Sequence, residues 1–237
     1  MNIFHLNGIE LSVPSGLATP GILEKLYDGT YEADEARSAD RCVRPGFRVL
    51  ELGAGLGYVT ALCAQKAGAE NVLSVEANPD LIPVIEANLA RNGYVGVTVM
   101  HGAVSGPVEE GATAPFHIAA GFTGSSLGGR GGRLVDVPLL PIYDLIRAHR
   151  PHVVMMDVEG AEENLFDRLW KCPLRFCVLE LHPKKYGPRT IKKIVDFMSA
   201  MDMTYDPVVS RGKILGFRKV WGADEIDDAA LFADDDD

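Results

Sequence analysis

From Phe47 onward, short apolar segments alternate with stretches whose apolar residues recur at helical spacing. The apolar segments are Arg48–Leu52, Asn71–Val75, Val97–Met100, Val153–Met156 and Phe176–Leu179. Strands that alternate with helices in this way pair in parallel and carry helices on both faces of the sheet. With two late strands near 205–209 and 214–221, the pattern predicts an α/β fold with a doubly wound, seven-stranded, Rossmann-like sheet.

The residues before this core predict a hairpin and a helical approach segment. Asn7-Gly8 lies between two apolar runs, and both turn residues tolerate positive φ. Helices are expected over about 21–26 and 32–42. We therefore expect residues 1–46 to form a hairpin and helical cap within the same domain as the core, residues 47–222. The acidic residues 223–237 are expected to form a solvated tail.

The charge balance bears on possible partners. Asp and Glu total 33 against 23 Lys and Arg, so the net charge is −10 and binding to a nucleic-acid phosphate backbone is not expected. No stretch approaches the roughly 20 apolar residues of a membrane span. The first residues lack a basic region followed by an apolar run, and the four cysteines lack metal-binding spacing. These features predict a cytoplasmic protein that does not bind membranes.

A glycine-rich turn, Gly53-Ala-Gly-Leu-Gly57, follows the first strand of the core. A doubly wound sheet binds its ligand outside the carboxyl ends of the strands, and glycines let a ligand approach the backbone closely. The third glycine comes one residue too early for the dinucleotide fingerprint, which disfavours a nicotinamide cofactor. The predicted cofactor contacts in this turn are Gly53, Ala54, Gly55, Gly57 and Tyr58.

Two acidic residues accompany the turn. Glu51, two positions before Gly53, suits a ligand with a cationic ammonium group, bound directly or through water. Glu76 ends the second strand, where an acidic side chain accepts hydrogen bonds from both hydroxyls of a ribose. A solvated acid at a strand end is the alternative explanation for Glu76.

The next loops are expected to complete a nucleoside site. Ala77 and Asn78 follow Glu76, and Asn78-Pro79 has the pattern of a helix N-cap followed by proline. Gly102 and Ala103, after the third strand, offer a flat surface to an adenine ring. The segment His101–Ser105 contains no carboxylate that could also bind the adenine.

Polar side chains are concentrated where strands four and five end. Asp157, Glu159 and Glu162 follow strand four, and three carboxylates exceed what helix capping requires. Glu180 and His182 lie on one face of strand five, because side chains alternate along a strand. We predict that Asp157, Glu159, Glu180 and His182 are catalytic.

His182 is the expected base or base partner, since imidazole titrates near neutral pH. The alternative is Mg²⁺ held by Asp157 and Glu180, because hard carboxylate oxygens suit this ion. We favour the route without a metal.

Six motifs occur in a characteristic order: Gly29-Thr-Tyr-Glu32, Glu51–Gly57, Glu76-Ala-Asn-Pro79, Tyr143-Asp-Leu145, Asp157-Val-Glu-Gly-Ala-Glu162 and Glu180-Leu-His182. In these motifs the chain resembles the FkbM family of class I methyltransferases, from about residue 29 to 186. The resemblance implies S-adenosylmethionine as the cofactor, contacts to it from Tyr31, Glu32 and Asp157, and O-methylation of a sugar or polyketide-type hydroxyl. We expect a small polar acceptor, such as a sugar or a glycosylated metabolite.

The chain departs from the family pattern in two places. The first turn reads Glu-Leu-Gly-Ala-Gly where the family often has Asp-Val-Gly-Ala-Asn, which is a conservative change. The glycine-rich segment Gly121–Arg133 interrupts the alternation, and it is either a flexible connection or a mobile loop over a site.

Other functions remain open at this stage. An N-methyltransferase would typically carry an Asn/Asp-Pro-Pro-aromatic turn after strand four, where this chain has Asp157-Val-Glu-Gly160. A binding module that holds S-adenosylmethionine without turnover and an NAD-dependent oxidoreductase are the two alternatives.

Overall fold

The structure, a computed structural model, describes residues 2–119, 121, 124–127, 129 and 131–220. The predicted tail at 223–237 lies outside these residues. The helices are α1 (Pro20–Tyr27), α2 (Ala33–Cys42), α3 (Tyr58–Ala67), α4 (Ile82–Arg91), α5 (Ile142–His149) and α6 (Pro188–Ala200). The strands are β1 (Asn2–Leu6), β2 (Ile9–Val13), β3 (Val49–Leu52), β4 (Val72–Glu76), β5 (Thr98–His101), β6 (Ala103–Ser105), β7 (Thr113–Ile118), β8 (Ser126–Leu127), β9 (Arg133–Pro141), β10 (Val153–Met156), β11 (Phe176–Glu180), β12 (Met203–Tyr205) and β13 (Ile214–Lys219).

A seven-stranded sheet organises the molecule in the order β12-β13-β11-β10-β3-β4-β5. The five strands from β11 to β5 are parallel, whereas β13 runs antiparallel to β11 and β12 antiparallel to β13. The predicted fold class is therefore confirmed, and the boundaries of the five parallel strands lie within one residue of those predicted. The strand order reverses between β3 and β10, the position where such sheets bind ligands.

Side chains of the central strands alternate between two apolar cores. Val49 and Met155 face the core formed with α2, α3, α4 and the hairpin. Leu50 and Leu52 face the core formed with α5 and α6. Because helices cover both faces of the sheet, the strands read as continuous apolar runs.

The predicted hairpin forms, with Asn7 at φ 48° and Gly8 at φ 79° in the turn between β1 and β2. Its second strand is held by α4, since the Ser12 backbone N–H donates to Asn88 Oδ1 over 2.8 Å. Asn88 Nδ2 in turn donates to the Leu56 carbonyl oxygen over 2.9 Å. A single buried amide therefore ties the hairpin to the glycine-rich turn.

A second sheet, in the order β6-β9-β7-β8, follows β5 and was not predicted. Its outer strands have interrupted apolar patterns, and Pro138 and Pro141 lie in β9. Ser126–Leu127 of the predicted glycine-rich loop is in fact strand β8, paired with Phe116 and His117. Phe122, Thr123, Gly128 and Arg130 of that loop lie outside the described residues.

Three local predictions need correction. Helix α4 begins at Ile82, not after Asn78, because the Asn78 side chain accepts from the Asp80 backbone N–H over 3.1 Å and closes a turn. Strand β12 spans 203–205, not 205–209. The last strand ends at Lys219, and Trp221 lies outside the described residues.

Among the described helices, none combines the length and apolar character needed to cross a membrane. The cytoplasmic location stays a prediction.

Candidate active site

A cleft with about 740 Å³ of space, counting its open mouth, lies at the carboxyl edge of the sheet, around the reversal point between β3 and β10. One wall carries the glycine-rich turn and Glu76, and another carries Gly102, Ala103 and Val104. The second sheet contributes Phe116 and Leu127, and the segment after β10 contributes Asp157 to Ala161.

Two glycines of the turn shape the floor of the cleft. Gly53 has φ 91°, and a Cβ there would lie 1.8 Å from the backbone oxygen of Asp157, so no side chain fits. Gly55 has φ 54°, and a Cβ there would lie 3.2 Å from both Tyr31 Oη and Glu32 Oε1. Both glycines line the cleft. The backbone of this turn is thus accessible to a ligand.

Gly57 and Tyr58 face away from this floor. A Cβ at Gly57 would lie 3.1 Å from Ile85 Cγ2, so this glycine lets α3 pack closely against α4. The Tyr58 hydroxyl accepts from Asn7 Nδ2 over 2.8 Å and so contacts the hairpin. Neither residue lines the cleft.

Glu76 presents a fixed carboxylate to the cleft. Its Oε2 accepts from the Gly55 backbone N–H over 3.0 Å, and its Oε1 from the Asn78 backbone N–H over 2.7 Å. Burial raises the pKa of Glu76, although the backbone donors at Asn78 and Gly55 partly oppose that shift. The side chain is therefore oriented before any ligand arrives.

Glu51 is 2% exposed and lies between the sheet and α3. Its Oε2 accepts hydrogen bonds from Thr60 and Ser74, the latter over 2.6 Å. Burial raises the pKa of Glu51 to about 7, against the effect of these two donors. The fold itself thus fixes one oxygen of the carboxylate.

Gly102 and Ala103, which are predicted to face an adenine ring, line the cleft, as does Ala77. A Cβ at Gly102 would lie 2.7 Å from Leu140 Cγ, so β9 packs directly on this backbone. Asn78 is 1% exposed and lies outside the lining.

The predicted catalytic side chains form one cluster around His182. Its Nε2 lies 3.4 Å from Asp157 Oδ1 and 3.5 Å from Glu159 Oε2. Its Nδ1 lies 3.0 Å from Glu162 Oε1. Asp157 and Glu159 line the cleft, and the imidazole lies behind them.

The groups of this cluster change one another's pKa. Burial raises the pKa of Asp157 to about 7, with a further rise from Glu180 that His182 partly opposes. Burial lowers the pKa of His182, but Glu162, Asp157 and Glu159 outweigh it, so the net shift is upward. In the Asp157–His182 pair, the pKa of each group is therefore raised, and that of Asp157 lies near neutral pH.

Glu159 and Glu180, at the edge of this cluster, form further hydrogen bonds and ion pairs. Glu159 accepts from the Gly124 backbone N–H over 3.1 Å and pairs with Lys185 over 2.7 Å. Glu180 pairs with Lys213 over 3.1 Å. Ligand atoms of Asp157, Glu180 and His182 lie within 4.8 Å of one another, close enough for the predicted alternative of a metal ion.

Sequence reasoning gave no role to several residues of this site. Glu162 was noted only as part of a motif, and nothing in its position signalled contact with a histidine 20 residues away. Phe116 and Leu127 reach the cleft through the unpredicted second sheet. Gly124 and Ser125 also line the cleft, which favours a site loop over a simple connection for that part of Gly121–Arg133.

Comparison with known proteins identifies related sequences. Residues 51–206 match the Methyltransferase FkbM domain. A protein-L-isoaspartate O-methyltransferase from Methanococcoides burtonii is 42% identical over 60 residues, which are 25% of this chain and 30% of that protein. A second from Archaeoglobus fulgidus is 43% identical over 61 residues, 25% of this chain and 28% of that protein. The matched segment thus spans less than a third of each of these relatives.

Solved structures with similar folds share little sequence. A SAM-dependent O-methyltransferase from Thermotoga maritima is 13% identical, with a TM-score of 0.49 over 93% of this chain and 78% of that one. A precorrin-6y C5,15-methyltransferase from Geobacter metallireducens is 15% identical, with a TM-score of 0.48 over 89% of this chain and 94% of that one.

The sheet order, the glycine-rich turn and the acid at the end of β4 together define a Rossmann-like fold of the class I methyltransferase type. Because the domain match covers well over half of the chain, the protein belongs to the FkbM methyltransferase family.

Proposed function

We propose that this protein binds S-adenosylmethionine in the cleft and transfers its methyl group to a hydroxyl of a small polar acceptor, such as a sugar or a glycosylated metabolite. One observation carries the proposal: the carboxylates of Glu76 and Asp157 line the same cleft, and Asp157 lies 3.4 Å from the His182 imidazole behind it. The first suits a ribose and the second suits the transfer of a proton.

The chemistry of the site fits this cofactor, which carries a sulfonium and an ammonium group. A second cavity of about 380 Å³ shares Glu32, Gly53 and Asp157 with the cleft. It is also lined by Glu35, Glu51 and Glu180. Five carboxylates around one cavity favour a cationic ligand.

We assign the parts of the cofactor to residues present at the cleft. Glu76 would accept hydrogen bonds from the ribose, and Gly102 with Ala103 would face the adenine. The methionine part would extend over Gly53 towards Asp157, beside the carboxylates of the second cavity.

The Asp157–His182 pair provides the acceptor for the proton that the hydroxyl loses. When bound, the cofactor would supply a methyl group activated by its sulfonium, and the acceptor hydroxyl would lose its proton as it is methylated. Asp157 lines the cleft and lies against His182 Nε2, so the pair accepts the hydroxyl proton. The resulting imidazolium is stabilised by Asp157, Glu159 and Glu162, and it later releases the proton to water.

The names of the curated relatives suggest a carboxylate acceptor, which the charges of this cleft disfavour. A carboxylate next to Asp157 and Glu159 would be repelled, whereas a neutral hydroxyl would not. We expect transfer of a radiolabelled methyl group to free or glycosidic sugars and not to an isoaspartyl peptide. Labelling of the peptide with no labelling of any hydroxyl acceptor would contradict the proposed acceptor class.

The proposed route needs no metal ion. EDTA is therefore expected to leave the rate of methyl transfer unchanged, measured before and after dialysis against the chelator. Loss of activity that Mg²⁺ restores would instead favour an ion held by Asp157 and Glu180.

The rate of methyl transfer is expected to rise with pH. When the Asp157–His182 pair already holds the additional proton, it accepts none from the acceptor, so kcat/KM should fall about tenfold per pH unit on the acid side. Since the pKa of His182 is raised above 6.5, the midpoint should lie above that value. Cofactor binding measured at each pH serves as the control. A flat profile between about pH 5 and 8 would contradict this assignment.

A further inference from the structure

Glu162 is a carboxylate fully removed from solvent. Its side chain is 0% exposed and lies in a short 3₁₀ helix, Ala161–Asn164, just after β10. Transfer of a carboxylate out of water costs several kcal/mol unless a close partner compensates. Its Oε1 lies 3.0 Å from His182 Nδ1, while its Oε2 has no hydrogen-bond partner among the described residues. The contact with the imidazole is thus what offsets this burial.

Three carboxylates lie close enough to His182 to attract its ring protons, and Glu162 is expected to attract them most strongly. It is closer to the ring, at 3.0 Å, than Asp157 at 3.4 Å or Glu159 at 3.5 Å. Burial raises the pKa of Asp157 to about 7, so its carboxyl is partly protonated near neutral pH and attracts a ring proton less. The side chain of Glu159 is 28% exposed, so water weakens its attraction. In the neutral ring, the proton should therefore remain on Nδ1.

The backbone of His182 is also held in place. Its N–H donates to the Tyr186 hydroxyl over 2.9 Å. The Tyr186 backbone N–H donates back to the His182 carbonyl over 3.2 Å. These two bonds fix the position of His182 two residues after β11, and its two ring nitrogens face different partners, Glu162 at Nδ1 and Asp157 at Nε2.

Building on the proposed methyl transfer, we propose that Glu162 is a positioning residue that accepts a hydrogen bond from Nδ1–H of His182 and so keeps the Nε2 lone pair directed at Asp157. The other tautomer would place a proton on Nε2, so the imidazole could not take the hydroxyl proton over from Asp157. A carboxylate that fixes the tautomer of a histidine in this way acts through that histidine alone.

The direct test is the tautomer of His182 in the wild-type protein. Protein labelled with ¹⁵N in the histidine rings would be compared with the His182→Ala variant to assign the His182 signals. At a pH where the ring is neutral, we expect Nδ1 to appear protonated and Nε2 unprotonated. The reverse pattern would overturn the proposal. Because this measurement needs no methyl transfer, its result is independent of the proposed function.

A kinetic test uses Glu162→Gln, with the exposed neighbour Glu163→Gln as the matched control. Loss of the buried charge should lower kcat about tenfold to a hundredfold, with the KM for the acceptor and the dissociation constant of the cofactor nearly unchanged. The control should match the wild type in all three. If Glu162→Gln retains the wild-type kcat, or raises KM alone, the positioning role is wrong. If this variant does not fold, the tautomer measurement on the wild type still decides.

Discussion

Replacing His182 with alanine is expected to lower kcat by about a hundredfold to ten-thousandfold, the usual contribution of a positioned proton acceptor. The imidazole lies 3.4 Å from Asp157, which lines the cleft, and three carboxylates stabilise its charged form. Without it, Asp157 has no imidazole to which it can pass the hydroxyl proton. The measurement is the rate of methyl transfer at saturating cofactor.

Two controls separate chemistry from binding. The His182→Ala variant should bind S-adenosylhomocysteine as the wild type does, because His182 does not line the cleft. The variant His5→Ala removes an exposed histidine of the hairpin and should leave kcat unchanged. Asp157→Asn should abolish most turnover as well. Wild-type rates in both site variants would show that this pair accepts no proton.

Replacing Glu76 with alanine is expected to weaken cofactor binding about a hundredfold or more. Each charge-assisted hydrogen bond to a ribose hydroxyl contributes about 1.5–3 kcal/mol, and about 1.4 kcal/mol corresponds to a factor of ten. The substitution also leaves the backbone N–H groups of Gly55 and Asn78 without their acceptor, so the glycine-rich turn loses its orientation. Calorimetric titration with S-adenosylhomocysteine measures the loss.

The matched control is Glu86→Ala, which removes an exposed carboxylate from α4 and should leave affinity unchanged. Circular dichroism would confirm that Glu76→Ala remains folded. An unchanged dissociation constant in the folded variant would show that Glu76 does not hold the ribose.

Local patterns were sufficient to predict the sheet and the position of the cleft. Strands such as Val153–Met156 are apolar throughout because helices cover both faces, and this signal is carried by the segment itself. The Gly53–Gly57 turn could also be predicted from the sequence. Only glycine fits at Gly53, which has φ 91° and lies beside the Asp157 carbonyl. Features fixed by neighbouring residues in the chain are visible in the sequence.

Features fixed by distant packing were not predictable in this way. Gly57 looked like a cofactor contact, but its side of the turn packs against Ile85. The role of Glu162 depends on a histidine from another strand, and no spacing rule connects the two. The second sheet was not predicted because β9 pairs with β7 across a glycine-rich segment, and the composition of that segment is typical of a loop.

We expect the cleft to bind S-adenosylmethionine and not a nicotinamide cofactor. Isothermal titration calorimetry of the wild-type protein with S-adenosylmethionine, S-adenosylhomocysteine and NAD tests it directly. We predict saturable one-to-one binding of the first two, lost in Glu76→Ala, and no measurable heat with NAD. Binding of NAD with no binding of either adenosyl compound would contradict the account.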